Sequence, residues 1–308
     1  MAVCTGAVLA AGVAAAAALH GDPADARQAV VPAGALERSA PAIAVGKPAA
    51  REDTAASAAG TSAKKPAQAT AAARYKWGQP QNYDEFRGTR LDRRNWEIYV
   101  GKGNGGLGRR VASAVTVRNG ALTLTGKRNG DTGGVAWTPG GQAKGARKTG
   151  RWEARVRMNR ACACYNANLL LWPAGGGGGT DPQGGGGEID WMETYGDNGL
   201  RNGTNFFLHY GPEKNAKRLN AHVKVDLRAW HAFAVDWNAK GITGYLDGRK
   251  WFHTSNKAAL PPGPMGQAIQ LDWFPNLTGK TAKGVSRTAP ATLQVDWIRY
   301  YKPAKARS

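Results

Sequence analysis

Three carboxylates lie within six residues, in the segment EIDWME at 188–193. If this segment is a β-strand, Glu188 and Asp190 share one face, whereas Glu193, at odd spacing, points to the other. A β-bulge at 191–192 would return Glu193 to the first face, as bulges do beside active sites. Carboxylates in one row raise one another's pKa, so the row would hold a proton. We interpret the segment as an acid–base site; a solvated strand end and a cation site are the alternatives.

The aromatic residues divide the chain. All Trp, Tyr and Phe residues occur at or after Tyr75, so the part before it has no large side chain with which to build a core. An apolar run at 7–18 precedes Ala24-Asp25-Ala26, a small-x-small cleavage pattern. We therefore predict a signal peptide at 1–26, a disordered Ala/Pro/Ser/Thr-rich linker at 27–74 and one folded domain at 75–308. This prediction implies that the protein is exported from the cell, or that it is anchored in the membrane if the signal peptide is not cleaved.

The net charge of the chain limits the classes of partner that we expect it to bind. The net charge of +20 attracts polyanions, and Arg residues are densest between 87 and 110, yet no nucleic-acid-binding motif accompanies them. We expect that the protein is a monomer and binds no nucleic acid. Its basic surface either associates with acidic cell-wall or anionic glycan surfaces or has no partner.

Cys162 and Cys164 are too few for a disulfide scaffold, and we interpret them as small buried residues or a strained pair. No cysteine or histidine spacing indicates zinc.

Short segments bounded by Gly, Asn and Asp recur through the folded part and predict strands. The turn Asn119-Gly120 predicts a hairpin between 111–117 and 121–125, and Asp247-Gly248 predicts a second one. Apolar residues alternate strictly with charged ones over 151–158, and a further strand is predicted at 222–227. Evenly spaced short strands indicate an all-β fold, a two-sheet β-sandwich of jelly-roll, concanavalin A-like type.

With these motifs in order, the chain resembles glycoside hydrolase family 16, which includes laminarinases, lichenases, agarases and carrageenases. The resemblance covers about residues 75–302. It is carried by six blocks, in this order: YDEF with LD and Trp96, GRWEAR from Gly150, EIDWME, His209-Tyr210-Gly211, YLDG from Tyr245, and VDWIRYY from Val295.

The resemblance implies a jelly-roll enzyme that cleaves β-linked polysaccharide internally, with retention of configuration. It makes Glu188 the nucleophile, Glu193 the general acid/base, and Asp190 the residue that holds a shared proton. Such enzymes form a covalent glycosyl-enzyme intermediate. It further implies that His209 and Gln270 touch sugar in the cleft, although His209 could instead anchor a strand end.

Aromatic and metal sites complete these expectations. Trp137, Trp172 and Trp273 are candidates for stacking on sugar rings, with core packing as the alternative for each. No cofactor is expected to be required for catalysis, but the family often holds a structural calcium ion, here implied at Asp296 and the backbone near Gly120, and oxygen ligands suit Ca²⁺. Two other functions remain open on the same scaffold: a transglycosylase, and a lectin-like module that binds carbohydrate without cleaving it.

Overall fold

The computed structural model describes residues 69–139, 145–174, 186–212 and 215–303. The predicted signal peptide and most of the predicted linker lie outside the described residues, as do most of the glycines that precede the acidic segment. Within the described ranges, no helix is both long enough and apolar enough to cross a membrane.

Strands make up nearly all of the regular structure, in agreement with the predicted all-β class. In chain order they are β1 (Asn82–Asp84), β2 (Trp96–Ile98), β3 (Gly101–Lys102), β4 (Arg109–Arg110), β5 (Val115–Arg118), β6 (Ala121–Gly126), β7 (Asp131–Thr132), β8 (Gly134–Trp137), β9 (Gly150–Met158), β10 (Tyr165–Pro173), β11 (Glu188–Glu193), β12 (Gly203–Tyr210), β13 (Lys217–Lys224), β14 (His231–Asn238), β15 (Gly241–Leu246), β16 (Arg249–Thr254), β17 (Met265–Trp273) and β18 (Ala291–Tyr301). One four-residue helix, α1 (Ala71–Arg74), precedes them, and short 3₁₀ turns lie between them.

Two large antiparallel sheets form the sandwich. The seven-stranded sheet has the order β13-β12-β11-β10-β17-β8-β2, which places the acidic strand β11 away from both edges. The eight-stranded sheet has the order β16-β15-β14-β9-β18-β6-β5, with β1 paired to β18. A small third sheet joins β3, β4 and β7. One apolar core fills the space between the two large sheets, and it includes Trp96, Trp152, Trp191 and Phe206.

Alternation along the strands explains how one sequence supplies both a core and two outer faces. On β9, Trp152 and Val156 enter the core, whereas Arg155 and Arg157 face outward and stay partly exposed. Glu153 also lies on the outward side but is fully buried, because α1 covers it and the Ala71 N–H donates to its Oε1 atom at 2.5 Å. The predicted two-sided pattern is therefore confirmed, with one carboxyl hidden beneath a helix.

Two predicted strands and one boundary differ from the structure. The first hairpin strand begins at Val115, because 112–114 form a 3₁₀ turn, although Asn119 and Gly120 do make the predicted turn with φ of 55° and 70°. Strand β13 lies earlier than the predicted 222–227, since it is an edge strand that begins with polar, exposed residues. Folded structure also starts before Tyr75, because Ala71 and Ala72 are buried.

The two cysteines of the folded part are joined. Cys162 and Cys164 form a disulfide between Cα atoms 5.1 Å apart, and both residues are buried at the edge of the core. The sequence left open whether they are buried free thiols or a strained pair, and the structure resolves this in favour of a bond.

Candidate active site

A β-bulge assembles the three acids. Glu188 pairs with His209 and Asp190 with Phe207, but the next pair is Glu193 with Asn205, so two residues of β11 oppose one of β12. As a result Trp191 and Met192 both enter the core, and Glu193 returns to the face that carries Glu188 and Asp190. The bulge predicted from the spacing is confirmed, and the three carboxyls lie on one side of a central strand.

Neighbouring strands hold these carboxyls by hydrogen bonds. On β10, Asn166 Nδ2 donates to Glu193 Oε1 at 2.6 Å, and Asn168 Nδ2 donates to Asp190 Oδ1 at 2.7 Å. On β12, His209 Nε2 lies 3.4 Å from Asp190 Oδ2. Glu193 and Asp190 are thereby fixed from rigid strands rather than from a loop, which is the arrangement that precise chemistry requires.

Burial and mutual repulsion change the protonation of the row. Burial raises the pKa of Glu188 and of Glu193 well above the usual carboxyl range, and the charge of Asp190 raises both further. A hydrogen bond with Asp190 adds to the rise at Glu188, whereas the Asn166 amide lowers the pKa of Glu193. Glu188 and Glu193 therefore keep their protons to a higher pH than an ordinary carboxyl does, as general acid catalysis needs.

A second polar cluster extends this face toward the other edge of the sheet. Gln270 Nε2 donates to Asp272 Oδ2 at 2.9 Å, and Tyr99 Oη donates to Gln270 Oε1 at 2.9 Å. Arg110 pairs with Asp272 at 2.5 Å, with both side chains nearly buried. The ring of Tyr99 lies so close to Gly134 that a Cβ there would be 2.2 Å from it, so only glycine fits. Gln270 is thus held rigidly on the face of the acids.

The predicted sugar-contacting residues separate into two groups. His209 and Gln270 lie on the face of the acids, and Trp172 does too, because it shares the alternation of Asn166 and Asn168 and stays partly exposed. Trp137 and Trp273 do not lie on this face, contrary to the prediction.

Core packing explains the two exceptions. Trp137 is 3% exposed and stacks on Trp96 with ring centroids 5.9 Å apart, so no ring face is left for a sugar. Trp273 alternates with Gln270 and Asp272 and points to the opposite side of β17. Its ring packs against Gly130, where a Cβ would lie 2.7 Å from it.

Asp296, the side chain of the predicted calcium site, is paired with an arginine. Asp296 Oδ2 accepts a hydrogen bond of 2.6 Å from Arg155, so a guanidinium already supplies the positive charge beside this carboxylate. Two more arginines, Arg118 and Arg157, line the same cavity. The calcium prediction gains no support from this geometry and stays a prediction. In the part of the chain that the structure describes, Glu188, Asp190 and His209 have possible ligand atoms within 4.8 Å of one another, but these belong to the acid row.

Several residues of the site were not found from the sequence. Asn166 and Asn168 could have been, because two asparagines two residues apart in an apolar strand leave one polar face. Asp272 and Arg110 could not, because their pairing depends on which strands become neighbours. Arg218 on β13 likewise lies over the Phe207 ring, 4.8 Å from its centroid, next to the acid row.

The sequence model of glycosyl hydrolases family 16 matches residues 110–299, which is more than half of the chain and contains the acid row. The chain belongs to glycosyl hydrolases family 16. As a member of this family it is a glycosidase, an enzyme that hydrolyses O-glycosyl bonds. The jelly-roll sandwich predicted from the strand pattern is the fold of the solved structures that it resembles.

Solved structures similar to the chain share its fold at low identity. LamAcat from Zobellia galactanivorans is 16% identical, with a TM-score of 0.61, over 74% of this chain and 99% of that one. The laminarinase from Rhodothermus marinus is 18% identical, with a TM-score of 0.61, over 74% and 98%. A family 16 endo-glucanase from Bacteroides ovatus is 18% identical, with a TM-score of 0.58, over 71% and 99%. A search of curated protein sequences gives no match.

Proposed function

We propose that the protein is a secreted, endo-acting glycosidase that cleaves internal β-linkages of a glucan with retention of configuration. The observation that carries this proposal is the row of Glu188, Asp190 and Glu193, which a bulge brings to one face of a central strand. A module that only binds carbohydrate has no need of three adjoining acids, two of which, Glu188 and Glu193, have raised pKa values, so the row argues against a lectin-like function.

The roles follow from how the acids influence one another. Glu188, ionised, attacks the anomeric carbon while Glu193, still protonated, donates its proton to the departing oxygen. The resulting ester removes the charge of Glu188. Because like charges raise a neighbour's pKa, this loss lowers the pKa of Glu193, which then accepts a proton from the attacking water. Asp190, held by Asn168 and His209, exchanges a hydrogen bond with Glu188 as its charge changes.

The substrate class is proposed from the cleft and from the structural relatives. Gln270, His209 and Trp172 line the acid face with an amide, an imidazole and a partly exposed ring, which together suit a hydroxyl-rich, flat ligand. The similar structures include laminarinases and endo-glucanases, which favours a β-glucan over other β-glycans.

Product analysis tests the proposed function. Purified enzyme is incubated with laminarin, mixed-linkage β-glucan, agarose and carrageenan, and proton NMR follows the anomeric signals from the first minutes. We expect a glucan to yield oligosaccharides of intermediate length. The first anomeric proton signal of their new reducing ends should be that of the β-anomer. An initial α-anomer would contradict retention, and release of single sugars alone would contradict endo action. Products longer than a single supplied oligosaccharide would identify the transglycosylase instead.

A further inference from the structure

A second cavity lies on the other side of the sandwich. It occupies about 620 Å³ on the outer face of the eight-stranded sheet, whereas the acid row lies on the seven-stranded sheet. This volume is within the range of small-ligand sites in proteins, which is roughly 300–1,000 Å³. We call it the outer groove and define it by Arg118, Arg157, Thr123, Gln294 and Trp230.

One polar row runs across four adjacent strands of the outer groove. The register aligns Thr116 of β5 with Thr123 of β6, Thr123 with Gln294 of β18, and Gln294 with Arg157 of β9. Arg157 Nε donates to Gln294 Oε1 at 2.7 Å, and Gln294 Nε2 reaches Thr123 Oγ1 at 3.5 Å. Because paired strands lie about 4.8 Å apart, the row presents hydroxyl, amide and guanidinium groups in a line that a glycan chain can follow.

The sides of the groove give it depth and an aromatic wall. Arg118 pairs across the hairpin with Ala121, which is small and buried, so the floor beside the arginine is low. Trp230 is partly exposed at the opposite side, and the guanidinium of Arg157 lies over its ring, 4.6 Å from the centroid. This contact restrains the arginine and reduces the entropy that a ligand would otherwise have to remove.

The charge of the groove is positive. Its one carboxylate, Asp296, is neutralised by Arg155 at 2.6 Å. Arg118 and Arg157 also line the groove, and within the described ranges neither makes an ion pair. A guanidinium fork matches the two oxygens of a sulfate or carboxylate and binds them by charge-assisted hydrogen bonds.

We propose that the outer groove binds an acidic glycan, a sugar chain that carries sulfate or carboxylate groups, at a site separate from the catalytic cleft. Arg118 and Arg157, at opposite sides of the groove, each bind an anionic group of the chain, Thr116, Thr123 and Gln294 bind sugar hydroxyls, and Trp230 borders the chain. The net charge of +20 attracts such a polymer from a distance, and the groove gives it a defined place to bind. Attachment there keeps the enzyme on an acidic matrix while the other face is free to cleave.

The test measures binding by calorimetry in a Glu188→Ala background, so that no ligand is cleaved. The ligands are laminarin, sulfated laminarin and carboxymethylated laminarin of equal chain length. We compare Arg118→Gln, Arg157→Gln and their double variant with Arg87→Gln/Arg90→Gln. This control removes two exposed arginines elsewhere that form no ion pair with a described residue. Arg118 is exposed, so its single variant should fold even if Arg157→Gln loses stability.

The expected result is a loss of at least about tenfold in affinity for a charged laminarin in the double variant and less than about twofold in the control. Laminarin binding at the cleft should not change. Equal losses in the double variant and the control would show attraction by overall charge alone and overturn the proposal. So would unchanged binding in the double variant, or an equal loss for uncharged laminarin, which would indicate a neutral-sugar site. Hydrolysis of laminarin by the enzyme with Glu188 intact reports on the proposed function separately.

Discussion

At the scale of single residues, the proposed mechanism needs the two glutamates of one buried row in different protonation states. Both have raised pKa values, first through burial and then through Asp190. Their immediate partners differ: Glu193 accepts a hydrogen bond from the Asn166 amide, whereas Glu188 shares one with Asp190. Asn166 therefore lowers the pKa of Glu193, the proposed acid/base, whereas Asp190 raises the pKa of both glutamates and also shares a hydrogen bond with Glu188, the proposed nucleophile.

Asn166→Ala should move the alkaline limb of the pH profile to higher pH. The amide of Asn166 favours ionised Glu193, so its removal raises the pKa of Glu193 and keeps this general acid protonated further into the basic range. The measurement is kcat/KM against pH. Asn205→Ala is the matched control, because Asn205 pairs with Glu193 in the sheet but its amide donates to the backbone carbonyls of Tyr195 and Glu193 and not to the Glu193 carboxyl. If the alkaline limb of kcat/KM fell at the same pH in wild type and in Asn166→Ala, Asn166 would not influence the pKa of Glu193.

Two tryptophans that look alike in the sequence should behave differently when replaced. Trp172→Ala should raise KM and change the melting temperature little, because the residue is partly exposed on the acid face. Trp137→Ala should cost about 3–5 kcal/mol of stability, as buried Trp residues do, since it packs on Trp96 in the core. Urea unfolding measures the loss of stability, and steady-state kinetics measures the rise in KM. A raised KM in Trp137→Ala together with a loss of stability in Trp172→Ala would show that Trp137, not Trp172, stacks on the sugar.

These residues also show how far sequence reasoning reaches. Glu188, Asp190 and Glu193 could be predicted because their own spacing reveals the bulge. Trp137 and Trp273 could not be placed, because which face of a strand is the core depends on the neighbouring sheet. Asp272 was missed for the same reason: only the folded sheet brings Arg110 against it.

At the scale of elements, the helix α1 closes the eight-stranded sheet over a buried carboxyl. Ala71 and Ala72 pack with Trp77, Tyr245 and Tyr301, and the Ala71 N–H donates to Glu153. A helix of four residues is too short to be stable alone, so its formation depends on this packing. The composition of 27–74 concealed it, because alanine is equally common in the linker and in the helix.

A chain that begins at Tyr75 should be less stable than one that begins at Ala69. Loss of α1 leaves Glu153 without its donor and exposes the aromatic cluster, which should cost roughly 1–3 kcal/mol. Thermal unfolding of the two chains measures this. Equal melting temperatures would show that the domain does begin at Tyr75.

Glu153 should also make stability depend on pH. Burial raises its pKa to about 7 from the 4.5 of an ordinary glutamate. Because the folded state binds the proton more tightly, the stabilisation is complete below 4.5 and is lost as the pH rises to about 7. Glu153→Gln keeps an acceptor for Ala71 without titrating, so it should flatten this part of the curve. Urea unfolding of wild type and Glu153→Gln below pH 4.5 and above about pH 7 measures this difference. If the free energy of unfolding changed with pH equally in both proteins, the prediction would be wrong.

At the scale of the whole molecule, the sandwich presents two outer faces with opposite chemistry. One carries the acid row and the other carries the outer groove with its arginines. Two-sheet architecture could be predicted from the regular spacing of strands and turns, but the outer groove could not, since it combines the β5–β6 hairpin with β9 and β18, which lie far from it in the sequence.

Secretion makes a prediction about the whole chain. If 1–26 is a signal peptide, the protein recovered from the medium should begin at Arg27, directly after Ala24-Asp25-Ala26. N-terminal sequencing checks this. Protein found only in the membrane fraction with the apolar run intact would instead indicate an anchored enzyme.

The most direct test of the central claim is azide rescue of the two alanine variants. Glu188→Ala should lose several orders of magnitude of activity on an activated β-glucoside, and azide should restore turnover with a glycosyl azide of inverted configuration. Glu193→Ala should still form the intermediate from a substrate with a good leaving group, and azide should yield the retained β-azide. Inversion with the Glu193 variant and retention with the Glu188 variant would exchange the two roles, and wild-type activity in either variant would contradict the mechanism.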